Sequence, residues 1–473
     1  ALVLVGVFFT RPYRRLGLNT IGELFQQRYN SKRCGWLTSL CVQTEYFVVN
    51  IIEPLLIGII LSHVLGIELL AGIAIGSAVI IVATTISGLK GASFTNIIHC
   101  LMILAGLGTV ALVAANQMGG WHEVIAKANG KLSAAEVDSN QWWSLAGMGL
   151  LPIVAMFFSA TIHTPATSVY VNFSSSARNE KVLIPAFLIA GVAAAMMSLV
   201  SIMIGIEAVG QYGVESGLSG YNSITRIALD TGPLIGGIAT AAVLAALISS
   251  GGPILLASST MVVNDWIPGS TGYSHVRKLR AYRLTSVLYG LLAALIACYF
   301  GYVVGTASIL QLLLLGYAMV VPPAIAIGNI FYVRAITEQA VFWGIATGYG
   351  LGLLAWCLNR FVWQFGFDIT AYVTTLVPLF AIPNISLWMY LQRPGVNPVQ
   401  RRQMLKLLLL CYLVAALAWL ANQQAGWLHP YLCSILAASW PMLLIPTACL
   451  VRLARHGLND AERDFYRRLS TVS

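Results

Sequence analysis

Long apolar segments recur along the whole chain, and they limit the fold more than any other feature. Twelve of them reach the length of roughly 20 residues that a helix needs to cross a lipid bilayer. They lie at about 34–64, 67–87, 95–117, 143–162, 181–207, 233–264, 278–302, 304–328, 334–357, 370–391, 403–422 and 430–452. Apolar residues make up 58% of the chain, charged residues make up 9%, and no segment alternates as a barrel strand would. The sequence therefore predicts an all-α polytopic membrane protein.

The basic residues are distributed unevenly between the loops. If the loop at residues 10–33 is placed in the cytoplasm and later loops alternate, 23 of the 27 Lys and Arg residues fall on the cytoplasmic side. This distribution satisfies the positive-inside rule, so the net charge of +10 indicates membrane topology rather than nucleic-acid binding. Contact with anionic lipid is the alternative for the juxtamembrane clusters alone. We expect a multi-pass protein of the cytoplasmic membrane.

Motifs of catalysis and of cofactor binding are missing from the sequence. It contains no P-loop, no HExxH zinc motif and no nucleophile elbow, and its eight cysteines have no metal-like spacing. We interpret the cysteines as small apolar packing residues. The sequence therefore predicts no enzyme activity, no cofactor and no metal site beyond one for a coupling cation.

The most distinctive polar feature lies inside the apolar segment 233–264. Ala246, Ser249 and Ser250 stand at positions i, i+3 and i+4, so they share one face of a helix. One carbonyl and two hydroxyls supply about half the oxygen shell of a hard cation, without the cost of burying a carboxylate. The ordinary alternative is that both serines bond to the preceding turn of a packed helix. Residues 251–253, Gly-Gly-Pro, predict a break in this helix.

Four segments resemble, in the correct order, segments of the solute:sodium symporter family. Pro12–Lys32 looks like the family's "RRLG…T-x-x-E-F…R-F" segment, and Gly88–His99 resembles its "G-G-L-x-A-V…T-D-x-x-Q" segment. Ala245–Asp265 resembles the helix "A-A-x-M-S-T-A-D-S…S-S…D". Ser308–Pro323, which contains Gln311, looks like the gating helix near the end of the core.

The resemblance implies a leucine-transporter-like (LeuT-like) bundle with two inverted repeats of five helices, and with solute and sodium bound near the membrane midplane. Matched position by position, Ala246, Ser249 and Ser250 correspond to the sodium ligands of the eighth core helix. On this mapping the chain begins at the second core helix. We therefore expect a fragment that lacks the first core helix and carries extra helices at its C-terminal end.

The predicted domains follow from the same mapping. A transporter membrane domain spans residues 1–392, with core helices two to ten within 1–328 and further helices at 334–391. Residues 393–473 are predicted to form a transmembrane hairpin followed by a short cytoplasmic tail.

The chain departs from the family pattern at two positions of the fifth core helix. Asn96 stands where the family often has Asp, and His99 replaces the usual Gln. Asparagine keeps an oxygen but loses the charge, which argues against a second cation site. Gly251 and Gly252, with the following proline, also stand where Ala-Asp-Ser is common.

Other polar residues inside the apolar segments are candidates for coupling or for a substrate cavity. Glu45 and Glu53 lie in one segment, about 12 Å apart along a helix. They are able to relay protons or to contact a polar substrate, or instead to lie near the interface and cap broken backbone. Asn96, His99 and Gln311 complete this group.

Three functions remain open at the level of the sequence. The first is a sodium-coupled symporter that imports a small polar solute by alternating access. The second is a transporter-like membrane sensor or interaction module. The third is a proton-coupled carrier that uses Glu53 or His99. The expected partners are sodium, a small solute and the lipid bilayer.

Overall fold

The structure, a computed structural model, describes residues 1–214, 220–304, 309–363, 368–393, 398–425, 432–454, 458 and 460–470. Within these ranges every regular element is a helix. Nine of the helices there are long and apolar enough to cross a membrane, and a tenth crossing is formed if the bent pair Leu150–Ala166 and Ser168–Ser176 counts as one. The predicted all-α membrane architecture is confirmed.

The helices follow one another with short connections. They are α1 (Leu2–Phe8), α2 (Thr10–Leu16), α3 (Ile21–Tyr29), α4 (Lys32–Leu65), α5 (Leu69–Gln117), α6 (Trp121–Ala134), α7 (Ser139–Trp143), α8 (Leu150–Phe157), α9 (Ser168–Ser176), α10 (Leu183–Tyr212), α11 (Gly220–Asp230), α12 (Pro233–Met261), α13 (His275–Tyr299), α14 (Ile309–Gly328), α15 (Glu338–Leu358), α16 (Ile369–Leu391), α17 (Pro398–Ala425), α18 (Leu432–Ala454) and α19 (Asp460–Ser470).

Two predicted interruptions of helices are wrong. Helix α5 continues through residues 88–94, where the alternation of spans predicted a loop, and joins two membrane-length segments. Helix α12 runs without a break past residues 251–253. A proline inside a helix removes one backbone hydrogen bond, and membrane helices tolerate this when another group satisfies the freed carbonyl. Gly251 and Gly252 lie where side chains of neighbouring helices approach α12.

The chain divides into two compact units. The first unit comprises Ala1–Thr10, Gln43–Val154 and Ser168–Gly316, and the second comprises Arg11–Val42, Ala155–Thr167 and Tyr317–Ser473. In the first unit, Ile57, Ile80 and Leu255 form a buried cluster that joins α4, α5 and α12. Leu247 and Ile248 of α12 also pack against this cluster.

The second unit contains the close packing of α15 against α16. A Cβ atom at Gly348 would lie 3.0 Å from Pro322 and 3.1 Å from Pro378, so any larger residue would require these neighbours to shift. The unit also contains the short helix α3, which Thr20 caps by accepting a hydrogen bond of 3.4 Å from the backbone nitrogen of Glu23. This cap fixes the start of α3 at Ile21.

Candidate functional site

The two predicted sodium-binding serines lie on one turn of α12. The Ser249 hydroxyl donates to the Ala246 carbonyl at 2.7 Å, and the Ser250 hydroxyl lies 3.2 Å from the same oxygen. All three residues are half-buried. The structure therefore brings the three predicted ligands together, with the hydroxyls bonded to the preceding turn as serines in packed helices often are.

Asn96 completes the backbone of this turn. Pro253 has no amide hydrogen, so the carbonyl four residues earlier, that of Ser249, loses its helical partner. The Asn96 side-chain amide donates to this carbonyl at 3.1 Å. The amide at position 96 thus satisfies the oxygen that the proline frees, which explains why α12 continues through the Gly-Gly-Pro sequence.

Glu53 of α4 reaches the same turn from the other side. Its Oε1 accepts a hydrogen bond from the Ser250 hydroxyl. Only 5% of Glu53 is exposed, and Oε2 has no hydrogen-bond partner among the described residues. A Cβ atom at Gly251 would collide with Oε2, so glycine leaves the space that the carboxyl occupies.

The surroundings of this carboxyl group are apolar. Ile57 and Ile80 pack around the turn of α12, and Leu255 continues the cluster one turn later. One more polar contact lies nearby, because the Thr84 hydroxyl is 3.4 Å from the Gly252 carbonyl oxygen. In such a setting electrostatic interactions are weakly screened, so a charge on Glu53 interacts strongly with any bound cation.

The other predicted residues are not all at this site. His99 is half-buried on α5, one turn beyond Asn96, and its Nδ1 has no partner among the described residues. Glu45 is buried beside α14, where a Cβ at Gly316 would lie 3.3 Å from its Cα. Gln311 is exposed. Glu45 lies two turns of α4 away from Glu53, and the exposed side chain of Gln311 gives it no place in the buried cluster.

The sequence interpretation missed another buried carboxyl group, that of Glu207. Glu207 of α10 has no exposed surface, and neither of its carboxyl oxygens has a hydrogen-bond partner in the described part of the chain. It stands at the end of the predicted segment 181–207 and therefore looked like a boundary residue. In the structure, α10 continues to Tyr212 and so places Glu207 inside the helix.

A different polar cluster lies in the second unit, around Arg28. The Arg28 guanidinium contacts Glu462 at 3.2 Å and the Tyr466 hydroxyl at 3.3 Å. The Tyr466 hydroxyl also lies 2.9 Å from the Ile330 carbonyl oxygen and 2.8 Å from that of Arg334. These contacts attach α19 to α3 and to the segment that follows α14. Burial raises the pKa of Tyr466 to about 12, so the phenol keeps its proton at neutral pH.

The comparisons with known proteins identify the family. The model of the sodium:solute symporter family matches residues 1–348. The chain therefore belongs to the sodium:solute symporter family, whose members are transporters rather than enzymes.

Two curated relatives are similar over part of their length. The chain is 26% identical to an uncharacterized symporter, YhjB, of Bacillus subtilis (strain 168), over 69% of this chain and 66% of the relative. It is 25% identical to the sodium-dependent multivitamin transporter of Oryctolagus cuniculus, over 32% of this chain and 24% of that protein. The chain thus spans less than two thirds of either relative in these matches.

A solved structure shares the fold. It is a Na⁺-coupled sialic acid symporter in a substrate-bound, outward-open state, with a TM-score of 0.66 and 20% sequence identity. The match covers 81% of this chain and 80% of that one. The LeuT-like fold predicted from the sequence is therefore confirmed.

Proposed function

We propose that this protein is a sodium-coupled symporter that imports a small polar solute across the cytoplasmic membrane by alternating access. Family membership and the shared fold support this function. The observation that carries it is the convergence of the Ala246 carbonyl and the Ser249 and Ser250 hydroxyls on one turn of α12. These three oxygens are the proposed sodium ligands.

Sodium binding at this turn requires only small movements. Each serine hydroxyl has one hydrogen and two acceptor lone pairs, and the hydrogen is free to rotate. Ser249 and Ser250 are able to keep a hydrogen bond while their lone pairs turn toward an ion. We assign His99, Glu45 and Gln311 as further candidates for contact with the solute. Binding of both ligands favours the rocking motion that opens the cavity inward.

We assign Asn96 a positioning role rather than the role of a charged ligand. Its amide bonds to the Ser249 carbonyl and so keeps the turn of α12 in place. A neutral amide at this position adds no charge to hold another cation. We therefore expect one sodium ion per solute, with a Hill coefficient for sodium near one.

The test is a sodium titration of serine variants. Loss of one hydroxyl from a desolvated ion costs on the order of 1–3 kcal/mol, so Ser249→Ala or Ser250→Ala should weaken apparent sodium affinity roughly tenfold. Solute affinity should fall with sodium present and change little without it, because the coupling between the two ligands is reciprocal. Ser198→Ala is the matched control, since Ser198 makes the same bond to its preceding turn, at 3.0 Å from Ala194, but is exposed.

Measurements use the natural gene product in proteoliposomes. If both serine variants stay folded and keep normal sodium dependence, the proposed sodium site is wrong. Solute-dependent sodium uptake supports transport, whereas solute binding without any uptake would support a sensor. Uptake that follows pH and ignores sodium would support a proton-coupled carrier.

A further inference from the structure

Helix α13 is attached to α12 along one of its faces. The Ser286 hydroxyl donates to the Ser259 hydroxyl at 2.9 Å, and the Tyr282 hydroxyl donates to the side-chain oxygen of Asn264, also at 2.9 Å. Ser286 and Tyr282 are four residues apart and therefore share a face. Their two hydrogen bonds fix the rotation of α13 about its axis, and so they determine which of its side chains point away from α12.

The opposite face of α13 carries one continuous exposed stripe. Its members follow one another at intervals of three or four residues, and each of them is exposed: Arg277, Arg280, Leu284, Leu288, Leu291 and Leu295. On a helix that spans a membrane, exposed leucines contact the lipid chains. The two arginines continue the same lipid-facing stripe toward the first residue of the helix.

The change from arginine to leucine coincides with the boundary of the hydrocarbon layer. The 19 residues from Leu284 to Tyr302 include no Asp, Glu, Lys, Arg or His. At 1.5 Å per residue they span about 28 Å, which is close to the hydrocarbon thickness of about 30 Å. At the far end of this segment the exposed Tyr302 donates a hydrogen bond of 3.0 Å to Glu68. Arg280 and the exposed Arg283 therefore lie at the level of the phospholipid headgroups.

The direction of α13 helps its arginines to reach these headgroups. Side chains on an α-helix tilt toward its first residue, which here is His275, beyond the boundary of the hydrocarbon. Arg280 and Arg283 thus extend away from the lipid chains, while their carbon stems cover apolar surface. The Arg277 guanidinium stacks on the ring of Tyr273, at 4.1 Å from its centroid. A stacked guanidinium still presents its edge to a phosphate.

The positive charge of this surface has no acidic partner in the described part of the chain. Arg277, Arg280 and Arg283 form no ion pair there, and residues 266–302 contain no Asp or Glu. Arg226 of α11, by contrast, lies 3.6 Å from Asp230. Three neighbouring positive charges attract an anion, and an anion at this depth on a lipid-facing stripe is a phospholipid headgroup.

We propose that Arg277, Arg280 and Arg283 bind the phosphate of an anionic phospholipid whose acyl chains lie along the exposed leucines of α13. The distribution of basic residues predicts that this end of α13 lies in the cytoplasm, and the cytoplasmic leaflet is the one that attracts basic segments. The headgroup complements the arginines, and the chains complement the leucines. Neither sodium nor solute takes part in this binding, so its test is separate from that of the proposed function.

The test is a lipid titration of the purified natural gene product in detergent, read out by thermal unfolding in potassium buffers. Phosphatidylglycerol is the anionic lipid, and phosphatidylcholine with the same acyl chains is the neutral one. Inorganic phosphate and glycerol 3-phosphate supply the anion without the chains. We expect phosphatidylglycerol alone to raise the unfolding temperature, and added potassium chloride to weaken this effect. Equal stabilisation by the two lipids, or stabilisation by inorganic phosphate, would overturn the proposal.

Variants of the three arginines locate the binding surface. Arg277→Gln, Arg280→Gln and Arg283→Gln combined should raise the half-saturating concentration of phosphatidylglycerol more than tenfold, because each basic residue near an anionic surface contributes about fivefold. Lysine at the same three positions should retain most of the binding, since the charge is kept. Arg280→Gln alone, with an expected loss of about fivefold, replaces the triple variant if that variant does not fold.

The matched control removes three positive charges from the loops predicted to lie on the other side of the membrane. It combines Lys127→Gln, Lys131→Gln and Arg226→Gln, and it should bind phosphatidylglycerol as the wild type does. If the arginine variants also bind this lipid with wild-type affinity, or if the control loses binding to the same extent, the assigned surface is wrong.

Discussion

Two buried ionisable groups in this protein have opposite surroundings. Arg28, in the second unit, is paired with Glu462 and bonded to Tyr466 and to the Arg334 carbonyl. Within the described residues, Glu53 of the first unit has one side-chain hydrogen bond through Oε1, and its Oε2 has no partner. A buried charged group that bonds to several neighbouring groups fixes those groups in place. A buried carboxyl oxygen without a hydrogen-bond partner is instead available to bind a ligand. The difference separates a structural cluster from a candidate ion site.

In both units an asparagine side chain hydrogen-bonds to a backbone carbonyl that a proline has freed, but the helices that result have different roles. Asn96 bonds to the Ser249 carbonyl that Pro253 frees, and Asn384 bonds at 2.9 Å to the Met442 carbonyl that Pro446 frees. In both places an asparagine amide replaces the missing backbone donor. Beside Ser249 the repaired turn carries the proposed ligands, while in the second unit it joins α16 to α18.

The largest effect is expected from Arg28→Ala. This change removes the ion pair between Arg28 and the buried Glu462 carboxylate, and breaking a buried pair costs about 3–5 kcal/mol. Hydrogen exchange in α19 should rise steeply, and sodium affinity should stay near the wild-type value. Arg33→Ala, which breaks the more exposed pair with Glu338, is the control and should have a much smaller effect. If Arg28→Ala lowered sodium affinity as much as Ser250→Ala does, the Arg28 cluster could not be distinguished from the proposed ion site by function.

Gly251→Ala tests the space beside Glu53. The added Cβ collides with the carboxyl group and lies 3.0 Å from Ile80, and such overpacking costs about 1–3 kcal/mol. Sodium affinity should fall in a sodium titration, because the carboxyl must move. Gly237→Ala on the same helix is the control, since a Cβ there meets nothing within 4 Å. Equal behaviour of the two variants would contradict the assigned position of Glu53.

The asparagine pair sharpens the comparison further. Asn96→Leu and Asn384→Leu each leave a carbonyl oxygen without its donor, at a cost of about 1–3 kcal/mol. The temperature of thermal unfolding should be lower in both variants than in the wild type. Only Asn96→Leu should weaken sodium affinity, because only that turn carries Ser249 and Ser250. A comparable loss in Asn384→Leu would show that stability alone governs sodium binding.

The smallest effect is expected from Tyr466→Phe. Loss of the hydroxyl removes the hydrogen bonds to the carbonyls of Ile330 and Arg334 and costs about 0.5–1.5 kcal/mol. In the wild type the pKa of Tyr466 is raised to about 12, above the ordinary value of about 10. Docking of α19 should therefore be complete below about pH 10 and weaken as pH rises toward 12. Hydrogen exchange in α19 measures this, and the phenylalanine variant should lack the alkaline transition.

Much of the fold could be predicted from local pattern. Apolar length located the membrane-length helices of the described residues. The failures share one cause, because local signals were taken to break helices. Residues 88–94 are helical, and Pro253 is accommodated by a side chain 157 residues earlier in the chain, Asn96. A sequence pattern does not show which side chain arrives from elsewhere.

The candidate site, like the fold, could be predicted only in part from local pattern. The sequence by itself determined that Ala246, Ser249 and Ser250 share a helix face, because 3.6 residues per turn fixes which neighbours align. Only the tertiary structure decided that Glu53 meets Ser250, 197 residues away, and that Arg28 meets Glu462, 434 residues away. Helical periodicity acts within a few turns. Contacts between helices depend instead on packing, to which small residues such as Gly251 contribute by allowing close approach.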